Sequence, residues 1–109
     1  MVEYLDRTLA AVADPTRRAI LARLALGETR VTDLAADFPI SLNGVSKHVR
    51  VLEGAGLVAR RRQGREFWLS INGAPLASAA DWIETYRRFW DARLDSLGRF
   101  LARERKAEA

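Results

Sequence analysis

The stretch SLNGVSKHVRVLEGAGLVARRRQGREFW, from Ser41 to Trp68, constrains the fold more than any other segment, because its hydrophobic period changes in the middle. The first half carries Val45, Val49 and Leu52 at spacings of four and three, the apolar stripe of a helix lying on a core. Ser41 is a good N-cap for that helix, and Gly54 and Gly56 bracket its end. Beyond them, Val58 to Arg62 and Glu66 to Ile71 read as two strands around Gln63-Gly64, a tight turn. A helix that runs without a linker into a short hairpin fits few architectures.

The rest of the chain is helical in pattern. Tyr4, Leu5, Leu9, Val12 and Ala13 recur at helical spacing and predict a first helix over about residues 3–13. Asp14-Pro15 restarts the chain, with Asp as N-cap and Pro at a first position that needs no N–H. Ile20, Leu21, Leu24 and Leu26 supply the apolar face of the second helix, which Gly27 stops. Thr32 is expected to cap a short third helix from Asp33 to Asp37, and Pro39 breaks the chain after it. From Pro75 to about residue 105 a single helical tract carries Leu76, Ala79, Ile83, Tyr86, Trp90, Leu94, Leu97 and Leu101 as a continuous apolar stripe. The expected fold is mainly α with one small β-hairpin, built as a single domain over residues 1–109: a helix-turn-helix at about 32–55 and a wing at about 58–71.

Charge identifies the face that matters. The chain has 18 Lys plus Arg against 14 Asp plus Glu, a net of +4. Between Ser41 and Ser70 stand Lys47, Arg50, Arg60, Arg61, Arg62 and Arg65 against only Glu53 and Glu66, so this segment holds the whole excess. One face is therefore built for a polyanion. Two short helices around a tight break, the second exposing polar and basic groups, form a helix-turn-helix, whose second helix fits the major groove. On that helix Asn43, Ser46, Lys47 and Arg50 lie opposite Val45, Val49 and Leu52, and Ser41 stands at its start. Asn can read adenine, and Lys47 and Arg50 reach guanine or, more often, phosphate. Arg62 and Arg65, nearest the turn, are the expected wing contacts, whereas Arg60 or Arg61 is expected to be structural.

DPTRRAIL, SLNGVSKHVRVLEGAGLV and RRRQGRE resemble the ArsR/SmtB family of winged-helix transcriptional repressors, and WIETYRRFWDARLDSLGRFL resembles the last helix of a metal-independent branch of it. The resemblance spans nearly the whole chain. It implies a homodimer with an interface made by the first and last helices, placing a recognition helix and wing from each subunit on a palindromic operator in double-stranded DNA. It also implies repression by promoter occupancy, with the chain's own short operon as a target. The stripe points to the same assembly, since a two-fold dimer is the natural cover for an apolar helix on so short a chain. Leu9, Tyr86, Trp90, Leu94 and Leu97 are the expected interface residues.

The family's metal chemistry does not carry over. Arsenic-type sensors use a cysteine pair and this chain has no cysteine; zinc-type sensors use histidines on the last helix, which has none here. His48, the single histidine, lacks partners for a metal and is expected to be packed or backbone-bonded at the junction of helix and wing. Arg17 and Arg18 are expected to be surface or ion-pair residues. No nucleophile–base motif, phosphate loop or cofactor signature appears, so neither an enzyme nor a bound cofactor is expected. No apolar run reaches the length of a membrane span, and the acidic start MVEYLDRTLA is unlike a signal peptide, which together predict a cytoplasmic protein that engages no membrane. The sequence names no small-molecule effector. The competing reading is a winged helix whose basic wing binds an acidic protein partner.

Overall fold

The computed structural model describes residues 2–108. The elements are α1 (Val2–Val12), α2 (Pro15–Ala25), β1 (Thr29–Arg30), α3 (Val31–Ala36), α4 (Leu42–Gly54), β2 (Val58–Gln63), β3 (Glu66–Ile71) and α5 (Ala74–Glu108). They divide into two compact units, one up to Ala79 and one from Ala80 on.

The first unit closes around one core. Ile20 and Leu24 from α2, Leu34 from α3, and Val45, Val49 and Leu52 from α4 meet Leu57 just before the hairpin and Val58 and Leu69 within it, all buried, with Leu76 of α5 packed at the edge. Burying each of these aliphatic side chains stabilises the fold by about 1.5–3 kcal/mol. The helix ends follow from local chemistry. Asp14 Oδ1 accepts the backbone N–H of Thr16 at 3.0 Å and of Arg17 at 3.4 Å, and Pro15 occupies the first helical position of α2. Ser41 Oγ accepts the Gly44 N–H at 3.1 Å to start α4. Gly56, at φ +75°, ends α4 in a Schellman motif: Leu57 N–H donates to the Leu52 carbonyl at 2.9 Å and Gly56 N–H to Glu53 at 3.0 Å. That turn carries the chain from α4 into the core at Leu57 and then directly into β2.

The three strands form an antiparallel sheet in the order β1-β3-β2. Register runs from Val58 opposite Ile71 to Gln63 opposite Glu66, so the two-residue turn is Gly64-Arg65 rather than the expected Gln63-Gly64. Gly64 takes φ +64° and Arg65 stays at negative φ, the sign pattern of a type II′ turn, which needs glycine at its first central position.

Other expectations also shift. β1 was not anticipated; Thr29 and Arg30 form a strand only because they pair with Leu69 and Trp68. That strand runs straight into α3, which starts at Val31 after Arg30 with no side-chain cap, so Thr32 lies inside the helix instead of capping it. Leu26 is 83% exposed, not part of the α2 face, because α2 ends at Ala25 and Leu26 lies in the turn beyond it. Arg17 and Arg18 are neither idle surface nor ion-pair residues. Arg17 donates from Nε to the Ala11 carbonyl at 2.6 Å and from Nη2 to Ala10 at 3.1 Å, and Arg18 Nη1 donates to Val12 at 2.8 Å and Ala13 at 3.1 Å. They satisfy the carbonyls that α1 leaves open at its end, where positive charge also suits the helix dipole.

The second unit is the remainder of α5. Its apolar side chains Trp82, Ile83, Tyr86, Phe89, Trp90, Leu94, Leu97, Phe100 and Leu101 are each 44–59% exposed. Around this stripe run local ion pairs, with Arg87 held by Glu84 at 2.7 Å and Asp91 at 3.1 Å.

Candidate nucleic-acid interface

The surface of α4 divides as its period requires. Val45, Val49 and Leu52 are fully buried, while Asn43, Lys47 and Arg50 are exposed on the outward face and Ser46 beside them is half-buried. Ser41 is exposed, but its hydroxyl is committed to capping, which leaves it as a support for the helix start. Leu42 and Val51, not singled out by the sequence, are also exposed and flank the polar face. An apolar side chain there is suited to a thymine methyl group. Gly44 has room for a methyl group, with Ser41 Oγ 3.4 Å and Ile40 Cδ1 3.5 Å from the position a Cβ would take.

His48 is half-buried and points back toward the start of α2, not toward the wing: its Nδ1 lies 3.4 Å from Arg17 Nη1. The same arginine therefore touches the end of α1 and the flank of α4.

The wing arginines separate into tethered and free. Arg60 Nη2 donates to Glu53 Oε1 at 2.7 Å, tying β2 to α4. Arg61 grips Glu28 with both arms of its guanidinium, Nη2 to Oε1 at 2.5 Å and Nε to Oε2 at 3.0 Å, tying β2 to the turn before β1. This hydrogen bond lowers the pKa of Glu28 and raises that of Arg61. Arg30 bridges Asp33 of α3 and Glu66 of β3, both at 2.7 Å, and these bonds raise its pKa in that order of weight. Sheet pleat puts Arg60 and Arg62 over the Phe67 ring on one face, and Arg30 and Arg61 over the Trp68 ring on the other. Sequence reasoning missed Glu28, Glu53, Arg30 and Asp33 as anchors; the balance of acids and bases outside the basic segment was the one available signal, and it bears only on Glu28, Arg30 and Asp33. Arg62 Nε donates to the Gly64 carbonyl at 3.0 Å. Among the described residues Lys47, Arg50, Arg62 and Arg65 have no carboxylate within ion-pair distance. Within the basic segment from Ser41 to Ser70, the positive charge free of carboxylates thus lies on the outward face of α4 and at the wing tip.

A helix-turn-helix domain family model matches residues 12–61, the span from the end of α1 into β2. The transcriptional regulator Rv2034 of Mycobacterium tuberculosis is 37% identical over 99 residues, 91% of this chain and 90% of that protein. The chain belongs to the ArsR/SmtB family of winged helix-turn-helix transcriptional regulators. The transcriptional repressor SdpR of Bacillus subtilis is 32% identical over 72% of this chain and 88% of its own length. Among solved structures, the crystal structure of an ArsR family transcriptional regulator superposes with a TM-score of 0.78 at 34% identity, covering 84% of this chain and 94% of that one. A homodimeric winged helix-turn-helix DNA-binding domain from Mycobacterium bovis, described as a possible ArsR-family regulator, gives 0.64 at 28% identity, covering 85% and 83%. α3 and α4 are the helix-turn-helix of the family fold and β2–β3 its wing. The family is one of regulators, not enzymes. Among the described residues no three His, Cys, Asp or Glu side chains stand together as a metal site, and no helix is long and apolar enough to cross a membrane.

Proposed function

We propose that the protein is a homodimeric repressor that acts in the cytoplasm by occupying a palindromic operator. Asn43, Ser46, Lys47 and Arg50 of α4 enter the major groove, with Ser41 holding the helix start. Arg62 and Arg65 at the wing tip meet the neighbouring phosphates. The observation that carries this reading is that, of the six basic residues between Ser41 and Ser70, the four without a carboxylate partner lie on the recognition helix or at the wing tip of a known DNA-binding fold. Residues 2–79 act as the DNA-reading unit.

Dimerisation through the apolar stripe of α5 supplies the two-fold symmetry that a palindrome needs. Tyr86, Trp90, Leu94 and Leu97 are too exposed in one chain to be at rest in water, and the partner subunit covers them. Leu9 on α1, half-buried in the single chain, is a further residue proposed to meet the partner subunit. The homodimeric relative and the named repressor among the chain's relatives support this assembly and role. A basic wing that docks on an acidic protein is the weaker alternative, since nothing in the relatives points to it.

The test is selection of bound fragments from genomic DNA, followed by footprinting of the winning site. Protection of two symmetric half-sites about 10–10.5 base pairs or a multiple apart is expected. Failure to enrich any fragment, with tight retention on an acidic protein, would replace this reading by the alternative.

A further inference from the structure

Glu53 is an acid on the very helix that faces DNA in the reading above. It lies in the last turn of α4, and its Oε1 accepts from Arg60 twice, from Nη2 at 2.7 Å and from Nε at 3.2 Å. Arg60 and Arg62 alternate along β2 onto one sheet face, and both guanidinium groups lie over the Phe67 ring, at 5.1 and 5.9 Å. The face of the wing turned toward α4 therefore carries two arginines stacked on one ring, one free and one held. A phosphate entering the cleft between α4 and the wing meets Arg62 directly and has to compete with Glu53 for Arg60.

We propose that Glu53 is a specificity-determining residue: it withholds Arg60 from phosphate contact and fixes the wing to the recognition helix. Sequence-independent affinity comes almost entirely from neutralised phosphates, so each cation kept out of that count lowers binding to random DNA. On the operator the same tether aligns the wing with α4, so its loss costs there what the released cation would add. The two effects act together on the ratio of operator to random affinity. This inference rests on the duplex-binding reading of the preceding subsection.

The experiment measures affinity for operator and random duplexes across a salt series. The wild type comes first: if it binds no duplex, the reading falls and this inference with it. With duplex binding established, Glu53→Gln is expected to tighten random-DNA binding about two- to fivefold, the worth of one exposed ion pair. Its salt slope should steepen by about 0.9 per protomer, operator affinity should change less, and the selectivity ratio should fall. Adding Arg60→Gln to Glu53→Gln should cancel the gain. A gain that persists in the double variant would mean that Glu53 acts by its own repulsion, which overturns the proposal, as does no gain at all.

Glu28→Gln controls for net charge. It adds the same charge but frees Arg61 on the opposite sheet face, over Trp68, away from the α4 side, and should give no gain in random-DNA affinity. An equal gain from both substitutions would assign the effect to overall charge and overturn the proposal. Arg60→Gln alone gives an arm that does not depend on Glu53→Gln folding. Arg60 held by Glu53 touches no phosphate, so the random-DNA slope should stay at the wild-type value, and a slope lower by about 0.9 per protomer would refute the tether.

Discussion

α4 and the part of α5 beyond Ala79 are both amphipathic helices, and they differ in what covers them. The apolar residues of α4 at Val45, Val49 and Leu52 are 0% exposed, while those of α5 from Trp82 to Leu101 stay about half exposed. The first helix finds its partners within the chain, because α2, α3 and the hairpin each bring an apolar residue to the same point. The second has none within its own unit. One region is a finished fold and the other is proposed to be half of an interface, so damage to the first should be felt at any protein concentration and damage to the second should depend on it.

The largest effects test that division. Trp90→Ala removes a large aromatic that the partner subunit is proposed to bury, a loss of about 3–5 kcal/mol. It should shift sedimentation toward monomer at micromolar concentration and make the melting temperature depend on concentration. Leu52→Ala should cost about 2–5 kcal/mol through its cavity, with an unfolding midpoint in urea that falls at every concentration and a dimer that persists while the chain is folded. If Trp90→Ala left sedimentation unchanged while Leu52→Ala dissociated the dimer, the contrast between the helices would be reversed.

Smaller effects separate α4 from the wing. Asn43→Ala should lose about 1–3 kcal/mol of operator preference and retain most affinity for random duplex. Arg62→Ala and Arg65→Ala should weaken both duplexes nearly equally, each lowering the salt slope by about 0.9 per protomer. Titrations against both duplexes at several salt concentrations measure all three. A wing arginine that changes selectivity more than Asn43 would move base reading from the major groove to the minor groove.

Legibility in the sequence follows the same line between local and non-local causes. The stripe of α4, the cap at Asp14 and the hairpin were readable because each depends on residues a few positions apart. β1 was not, since Thr29 and Arg30 have no strand pattern of their own and are recruited by Leu69 and Trp68 some forty positions on. The role of Arg17 was hidden for a related reason: it bonds Ala10 and Ala11 only after α2 has folded back on α1, and it reaches His48 only once α4 has packed there. At the candidate interface the sequence marked six basic residues, with Arg62 and Arg65, nearest the turn, as the expected contacts and Arg60 or Arg61 as structural. The identity of the acids that hold Arg60 and Arg61 needed the fold, because Glu28 lies 33 positions from Arg61.

The smallest expected effect compares two carboxylates, one in each region. Glu28 and Glu84 both have pKa values lowered from the ordinary 4.5, in each case chiefly by a hydrogen bond from arginine, Arg61 and Arg87 respectively. A carboxylate with a depressed folded pKa contributes its stabilisation fully above the unfolded value and loses it as pH falls through the folded one. Both contributions should therefore be intact at pH 6 and fade below about pH 4.5. The consequences should differ. Glu84 and Arg87 are three residues apart on one helix, so protonation there removes only local support for α5. Glu28 and Arg61 join the turn before β1 to strand β2, so protonation there should loosen the wing. Hydrogen exchange from pH 6 to pH 3, corrected for intrinsic rates, should show β2 amides losing protection relative to α4, with Glu28→Gln reproducing that loss at pH 6. If β2 kept its protection in both cases, the Glu28–Arg61 pair would be no more than a surface contact, and the wing would be held by Arg60 and the hairpin's own packing.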